Sequence, residues 1–487
     1  MDKKVKLLLK KYSDLPVQIR ASFWFLICGF LQKGVSVITT PIFTRLLTTN
    51  EYGQYNIFNS WLGILSVFIT LQLFSGSFTQ GMVKYKELKV KYASSLQGLC
   101  LTLVLGWTII YIFFRNFWNC LFKLTTVQML AMLLIIWTTA VYNFWSVEQR
   151  VDFKYRKMVL VTAFVTIGKP VVGIVFVTLA EDKVTARILG IVLVEFICFT
   201  WMFFSQMQRG KCFFDKYFWK YALRINLPLI PHYLSMMILN SSDRIMIGNM
   251  VGNDKAGIYS LAYSIAQIMT IFSTALLQTI EPWLYTKIKQ KHLEDMSGVA
   301  YPAFIAIALV NIFLIAIAPE AVAIFAPKEY KEAIYVIPPI TMSVYFLFSY
   351  SFFAVFEFYY EKTQYIAIAT VTGAVLNILL NFVCINIFGY FAAGYTTLFC
   401  YIVFTIYHYC FMCKICKKEV NNIIPYDFQR LLGITLVFMI LGFAFLFTYK
   451  NNMLRYGLIG ILFAITLIKR NEVLMFVRKL LNIKKKL

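Results

Sequence analysis

The stretch from Thr126 to Val147, TVQMLAMLLIIWTTAVYNFWSV, contains no charged residue. Its length is close to the roughly 20 residues that a helix needs to cross about 30 Å of hydrocarbon. Similar apolar blocks recur along the whole chain of 487 residues and are separated by short polar segments. The stretch and its recurrence predict an integral membrane protein that is built from hydrophobic helices.

The composition supports this fold class. Hydrophobic residues make up 60% of the chain and charged residues only 14%, against about 25% charged in typical soluble domains. A membrane-spanning barrel would show short alternating segments instead. We therefore predict an all-α polytopic protein with about fourteen spanning helices. They occupy residues 21–44, 55–80, 93–114, 126–147, 158–179, 186–206, 225–249, 257–281, 297–318, 333–357, 364–386, 390–412, 428–448 and 454–469.

Basic residues mark the orientation of these helices. The net charge is +24, and most of the lysines and arginines fall in alternate loops on one side. The positive-inside rule then predicts an even number of spans with both termini in the cytoplasm. We expect residues 1–20 to form an amphipathic segment on the inner surface and residues 470–487 to form a basic cytoplasmic tail. No nucleic-acid-binding motif is present, so the expected partners of this charge are anionic membrane lipids.

Two outer hairpins resemble each other. Residues 44–61 read TRLLTTNEYGQYNIFNSW and residues 248–265 read GNMVGNDKAGIYSLAYSI. The aligned identities are Gly53 with Gly257, Tyr55 with Tyr259 and Ser60 with Ser264. This repeat predicts two six-helix bundles, 21–206 and 225–412, related by a pseudo-twofold axis along the membrane normal. A cytoplasmic linker, 207–224, would join them, and two extra helices would lie within 428–469. Such paired bundles favour alternating-access transport.

Three cations in or beside the predicted spans are candidates for binding an anionic substrate, because intramembrane charges are costly and usually functional. Lys33 lies near the middle of the first helix; the alternatives are a buried ion pair or a hydrated contact between helices. Arg244 lies in the seventh helix, and its planar fork suits a pyrophosphate. It could instead hold a neighbouring helix near the outer interface. Arg45 opens the first outer loop, where it either receives a phosphate or ends a helix.

The remaining intramembrane candidates concern ion pairing or ion coupling. Lys169, another candidate for the cationic lining, and Glu195 lie at matching depths on neighbouring helices, which predicts an ion pair; a coupling role for Glu195 is the alternative. Asp243 does not simply pair with its sequence neighbour, because adjacent helical residues point about 100° apart. His232 titrates near neutral pH and is either a packing residue or a proton relay.

Acidic residues at predicted inner helix ends are interpreted more simply. Glu148, Glu281 and Glu357 are expected to be interfacial or to pair with loop lysines and arginines. The Cys413–Cys416 pair lacks the second pair of a zinc site, so no metal site and no cofactor are expected. A GxxxxGK[ST] phosphate loop, an HExxH motif and a nucleophile elbow are absent from the sequence, so we expect a transporter and not an enzyme.

Three stretches carry a family resemblance. They are GFLQKGVSVITTPIFTRLLTTNEYGQYNIFNSW at 29–61, SDRIMIGNMVGNDKAGIY at 242–259 and LNILLNFVCINIFGYFAAGYTT at 376–397. Together they resemble Wzx-type flippases of O-antigen and capsule repeat units, within the multidrug/oligosaccharidyl-lipid/polysaccharide exporter superfamily. Residues 391–394 read FAAG instead of the more usual Gly-Ala-Ala order, a mild departure.

The resemblance implies export of undecaprenyl-pyrophosphate-linked oligosaccharide across a bacterial cytoplasmic membrane, coupled to an ion gradient. Lys33 and Arg244 would fall in cavity-lining helices, and a polysaccharide polymerase and a chain-length regulator would be partners. One alternative is a drug or metabolite exporter of the same superfamily, which would favour an acidic cavity. The balance of Lys33 and Lys169 against Glu195 favours an anionic substrate. A polymerase or ligase would typically carry a large periplasmic loop, and the predicted outer loops are all short.

Overall fold

The computed structural model describes residues 16–472, 474, 475 and 478–480. These residues are mostly helical and contain no strand. Twelve helices in this part of the chain are long and apolar enough to cross a membrane, and the apolar helix Asn452–Ile468 is shorter. The all-α polytopic fold is thus confirmed, although the helix Thr49–Thr70 does not reach the hydropathy of the twelve because it carries several polar residues. Most of the predicted amphipathic segment 1–20 and the end of the tail 470–487 lie outside the described residues.

The chain divides into two compact units. Unit 1 comprises the described residues up to Leu47 together with Ile57–Met237. Unit 2 comprises Thr48–Asn56 and the described residues from Ile238 onward. Two helices, α2 and α10, therefore contribute residues to both units.

The first ten helices cover unit 1 and its boundaries. They are α1 Val17–Leu46, α2 Thr49–Thr70, α3 Gly76–Lys84, α4 Lys89–Phe113, α5 Arg115–Phe122, α6 Thr126–Val151, α7 Tyr155–Leu179, α8 Lys183–Gly210, α9 Lys216–Asn226 and α10 Ile230–Met250. The remaining nine belong to unit 2. They are α11 Asn253–Ala266, α12 Ile268–Lys289, α13 Glu294–Ala316, α14 Ala318–Phe325, α15 Ile337–Tyr359, α16 Thr363–Phe388, α17 Ala392–Glu419, α18 Phe428–Thr448 and α19 Asn452–Ile468.

One predicted helix is wrong in its extent. The segment 55–80 is not one helix, because Leu71 and Gln72 adopt left-handed φ values of 52° and 50° between α2 and α3. A right-handed helix cannot continue through such residues. The segment 257–281 is divided between α11 and α12 at Gln267, but this residue keeps right-handed helical angles and the two helices together form one candidate span, Asn253–Lys289. Apolar periodicity does not predict the break at Leu71 and Gln72, since Leu73 and Phe74 continue the apolar pattern beyond it.

Close packing of α7 on α8 positions the charged residues of unit 1. A Cβ atom on Gly190 would lie only 2.9 Å from the Gly173 Cα atom, so the two helices touch through their backbones. The neighbouring α6 begins with a capping box, in which Thr125 accepts from the Gln128 backbone N–H and the Gln128 side chain accepts from the Thr125 N–H. This arrangement fixes the start of α6. Three ordered helices thus surround the region where α6, α7 and α8 carry polar side chains.

The aligned glycines of the repeat meet each other within unit 2. A Cβ atom on Gly53 would lie 1.9 Å from the Asn253 carbonyl oxygen. Reciprocally, a Cβ atom on Gly257 would lie 2.1 Å from the Thr49 carbonyl oxygen. Thr49 and Asn253 are themselves equivalent in the repeat, so the contact between α2 and α11 has local two-fold character. Only glycine permits backbones to approach this closely.

We expect Gly53→Ala and Gly257→Ala each to lower the melting temperature of the purified protein. The added methyl group must push a carbonyl oxygen away, and overpacking of this kind costs about 1–3 kcal/mol. Gly433→Ala is the matched control, because a Cβ atom at Gly433 meets nothing within 4 Å. Equal melting temperatures for the control and the two test variants would show that the close contact between α2 and α11 does not contribute to stability.

Candidate functional site

A carboxylate and an ammonium group meet between α7 and α8 in unit 1. Lys169 Nζ donates to Glu195 Oε1. The hydroxyls of Thr138 and Thr139 on α6 donate to Glu195 Oε2 at 2.6 and 3.1 Å. The Glu195 side chain is 3% exposed, against 32% for Lys169. The predicted ion pair is therefore present, and the carboxylate is its buried partner.

The other candidate residues of unit 1 lie apart from this pair. The Lys33 side chain is exposed on α1. Arg45 is exposed at the end of the same helix, where its Nη1 donates to the Pro41 carbonyl oxygen at 2.8 Å. The bond to Pro41 agrees with the prediction that Arg45 ends a helix, which is one of the two roles considered for this residue. His232 is half-buried near the start of α10, with its ring centroid 5.6 Å from that of Tyr233.

A buried carboxylate lies at the centre of a polar cluster in unit 2. Asp243 is 1% exposed. Its Oδ2 accepts from the Tyr259 hydroxyl at 2.6 Å and from the Thr397 hydroxyl at 2.8 Å. Its Oδ1 accepts from Asn381 Nδ2 at 2.6 Å. These donors come from α11, α16 and α17 and are all neutral, so four helices converge on one negative charge.

Further polar groups extend the cluster, which we call the Asp243 cluster. Ser242 donates to Asn377 Oδ1 at 2.9 Å, and Asn381 Nδ2 donates to the same oxygen at 3.2 Å. The Thr396 hydroxyl donates to Asn381 Oδ1. Like Asp243, Asn377, Asn381 and Thr396 are buried. The cluster is rich in hydroxyl and amide oxygens, which are ligands for hard cations, and its carboxylate can alternatively take a proton.

The guanidinium group of Arg244 is held beside an aromatic ring. It lies 4.1 Å from the ring centroid of Tyr263, a cation–π contact,. Its Nη1 donates to the Asn240 carbonyl oxygen at 3.2 Å, and the Tyr263 hydroxyl donates to Asn240 Oδ1 at 3.1 Å. The Nε atom of Arg244 is buried and makes no hydrogen bond. The group is thus fixed in position while keeping donor capacity for an anion.

Only some of the residues that were predicted to form a functional site lie in contact with each other. Lys169 joins Glu195 in unit 1, and Asp243 and Arg244 stand on one helix in unit 2 with separate partners. Sequence reasoning missed Asn377 and Asn381, although two amides four residues apart in an apolar helix are a usable signal. Glu148 pairs with Arg209 at 2.7 Å, close to expectation. The prediction for Glu357 is wrong, because this carboxylate is fully buried and pairs with a histidine.

Metal ligation by acidic, histidine or cysteine side chains is not indicated. Within the described ranges, no group of three or more such residues could hold a metal ion. A cation in the Asp243 cluster would instead depend on one carboxylate with neutral oxygen ligands around it. The cluster therefore fits a monovalent ion or a proton better than a transition metal.

Comparison with known proteins places this geometry in a family. The family model described as polysaccharide biosynthesis protein matches residues 19–288. The Lsg locus putative protein 1 from Haemophilus influenzae is 25% identical over 372 residues, which are 72% of this chain and 87% of that protein.

Two solved structures share the fold. The lipid II flippase MurJ in an inward closed conformation has a TM-score of 0.67 at 15% identity, covering 92% of this chain and 99% of that chain. A multidrug resistance MATE family transporter of the MOP superfamily, in an inward-facing conformation, has a TM-score of 0.58 at 13% identity. It covers 80% of this chain and 96% of that chain. The family match spans more than half of the sequence, and the chain therefore belongs to the polysaccharide biosynthesis protein family.

Proposed function

We propose that the protein is a flippase that moves undecaprenyl-pyrophosphate-linked oligosaccharide across the bacterial cytoplasmic membrane, with both termini in the cytoplasm. The membership in a polysaccharide biosynthesis family and the shared fold with MurJ and MATE transporters support a transporter role. The product would be O-antigen, capsule or a related surface polysaccharide. A polymerase and a chain-length regulator are the proposed partners that use the exported unit.

The observation that supports the proposed substrate is the unused hydrogen-bond donor of Arg244. An arginine in a spanning helix is costly, and here its Nε atom is buried without an acceptor. A diphosphate offers several anionic oxygens that a planar guanidinium group can bond in pairs. Arg244 is therefore the proposed pyrophosphate ligand in unit 2, and Lys33 is the proposed ligand in unit 1.

The other predicted cations differ in the partners that they already have. Lys169 already has Glu195 as its counterion, so a substrate anion would have to compete with that carboxylate. Arg45 bonds its own helix but remains exposed, and it is the proposed phosphate contact on the outer side. His232 remains a candidate for proton transfer in unit 1.

Coupling to a cation gradient is assigned to Asp243. The fully buried carboxylate of Asp243 is surrounded by neutral donors. Arg244 acts on it electrostatically, but in the described part of the chain no positive charge is paired with it directly. Binding of a proton or a sodium ion would supply that charge and stabilise the packing of four helices. Release of the same cation would destabilise this packing, so cation binding can alter the conformation of unit 2.

Lys33→Ala is expected to lower surface polysaccharide at least tenfold in a strain that depends on this protein. A charge-assisted hydrogen bond to an anion contributes about 1.5–3 kcal/mol, and 1.4 kcal/mol corresponds to a factor of ten. The measurement is the amount of polysaccharide on intact cells, normalised to the amount of flippase in the membrane. Lys33→Arg, which keeps the charge, should retain most of the export.

Lys157→Ala is the matched control, because Lys157 is an exposed lysine on α7 of the same unit. Normal export by Lys33→Ala would remove Lys33 from the substrate site. A further test uses cells that lack the protein. If these cells accumulate a cationic dye and show no loss of surface polysaccharide, the result would support the drug-exporter alternative and contradict the flippase.

A further inference from the structure

Two titratable side chains that the proposed mechanism does not use are completely buried in unit 2. Glu357 lies two residues before the end of α15, and His408 lies on α17. His408 Nδ1 is 2.7 Å from Glu357 Oε1, and both side chains are 0% exposed. The second oxygen, Glu357 Oε2, and the second ring nitrogen, His408 Nε2, are buried and have no hydrogen-bond partner.

Aromatic rings surround the pair. The His408 ring centroid lies 4.4 Å from that of Phe404, 5.2 Å from that of Tyr350 and 6.2 Å from that of Tyr407. The pair is therefore in an environment of low dielectric constant, where an uncompensated charge is unfavourable.

Few other ionisable groups influence the pair. Glu281 on α12 and Glu357 both act electrostatically on the Tyr350 hydroxyl. Tyr365 on α16 acts in the same way on Tyr407. In the described part of the chain, no lysine or arginine forms an ion pair with Glu357. The proton content of Glu357 and His408 thus decides the local charge.

The hydrogen bond between His408 and Glu357 contains one proton, and the pair can exist with or without a second one. If the ring is neutral and the carboxyl is ionised, the pair carries one net negative charge in apolar surroundings. A second proton removes this net charge, at the lesser cost of an unbonded N–H group at Nε2. Burial therefore favours uptake of the second proton, and entry of water would favour its release.

We propose that Glu357 and His408 form a proton-binding site, separate from the Asp243 cluster, through which pH regulates transport. The site binds one proton when the aromatic surroundings exclude water and releases it when water reaches the pair. The effect on transport rests on the proposed flippase function, whereas proton binding itself does not.

Proton binding can be measured without any transport. The chain contains three histidines, so nitrogen NMR of histidine-labelled full-length protein resolves them, and His408→Gln assigns the signal. We expect the His408 signal to change between about pH 5 and 9, and we expect Glu357→Gln to displace or abolish that change. The exposed His292 provides an internal reference that Glu357→Gln should leave unaltered.

A His408 signal that is constant over this pH range in the unmodified protein would overturn the proposal. So would a pH-dependent change that Glu357→Gln leaves in place. The first result comes from the unmodified protein alone, so it remains decisive if a variant folds poorly. Glu357→Asp, which keeps a titratable group, should restore a pH-dependent signal.

Transport in proteoliposomes tests the regulatory part. A fluorescent undecaprenyl-pyrophosphate disaccharide is the probe, and its transfer is measured as a function of pH. We expect Glu357→Gln to reduce the pH dependence severalfold, while Glu332→Gln, an exposed carboxylate of the same unit, leaves it intact. A pH profile unchanged by Glu357→Gln would overturn the regulation. Failure of the unmodified protein to transfer the probe would contradict the flippase function and leave the NMR result standing.

Discussion

Asp243→Ala is expected to abolish polysaccharide export and to lower the free energy of unfolding by about 3 kcal/mol or more. The substitution removes the acceptor of three buried donors, on Tyr259, Asn381 and Thr397. Each buried donor without an acceptor costs about 1–3 kcal/mol. Thermal melting of the purified protein and surface polysaccharide on cells are the two measurements. The fall in stability should be among the largest caused by any single substitution in unit 2.

Asp243→Asn separates the role of the charge from the role of the packing. The amide keeps the size of the side chain, so the loss of stability should be smaller than for alanine. Export driven by an imposed proton or sodium gradient in proteoliposomes should still fall at least tenfold, because the amide has no negative charge to balance a cation and does not take up a proton. The gradient that drives the unmodified protein identifies the ion. Asp295→Asn, at an exposed carboxylate paired with Lys287, is the control. Gradient-driven transport by Asp243→Asn at the normal rate would exclude this residue from coupling.

The second large effect concerns the ion pair of unit 1. Lys169→Met is expected to cost about 3–5 kcal/mol, because it leaves a buried, uncompensated carboxylate. Glu195→Leu should cost less, since the lysine that remains is 32% exposed and is therefore less buried than the carboxylate. The double variant should regain most of the stability, because neither charge remains. A double-mutant cycle from melting experiments gives the interaction energy.

Export by the double variant distinguishes a purely structural role of the ion pair from a direct role in transport. If the pair serves packing alone, recovery of stability will be accompanied by recovery of export. A stable double variant that exports no polysaccharide would indicate that Glu195 or Lys169 acts on the ion or the substrate. Additive single costs, without recovery in the double variant, would show that the two groups do not stabilise each other.

The sequence predicted those features that depend on local pattern and depth. Apolar blocks predicted the helices because hydrocarbon thickness imposes their length. Lys169 and Glu195 were predicted to pair because they lie at equal depths on helices joined by a short loop, which leaves little freedom in their register. The resemblance of three stretches to exporters of surface polysaccharide agrees with the polysaccharide biosynthesis family to which the chain belongs.

Features formed by distant segments could not be predicted in the same way. The Asp243 cluster joins α10 to α16 and α17, which lie more than a hundred residues further along the chain, and apolar periodicity does not specify which helices adjoin. The Glu357–His408 pair likewise joins two helices, α15 and α17, that are not consecutive in the chain. The break at Leu71 and Gln72 depends on backbone conformation, for which these residue types give no sign.

The contact of Gly53 with Gly257 is made by peptide groups, and beside it one side-chain hydrogen bond, from Thr49 to Asp254, joins the two helices. Opening it would expose backbone that water can hydrogen-bond, and it would uncover little hydrocarbon. The glycines themselves have no rotamer to change during separation or return. A contact of this composition can be tight and still separate with a small free-energy change, and its two faces would fit again with little search among side-chain conformations.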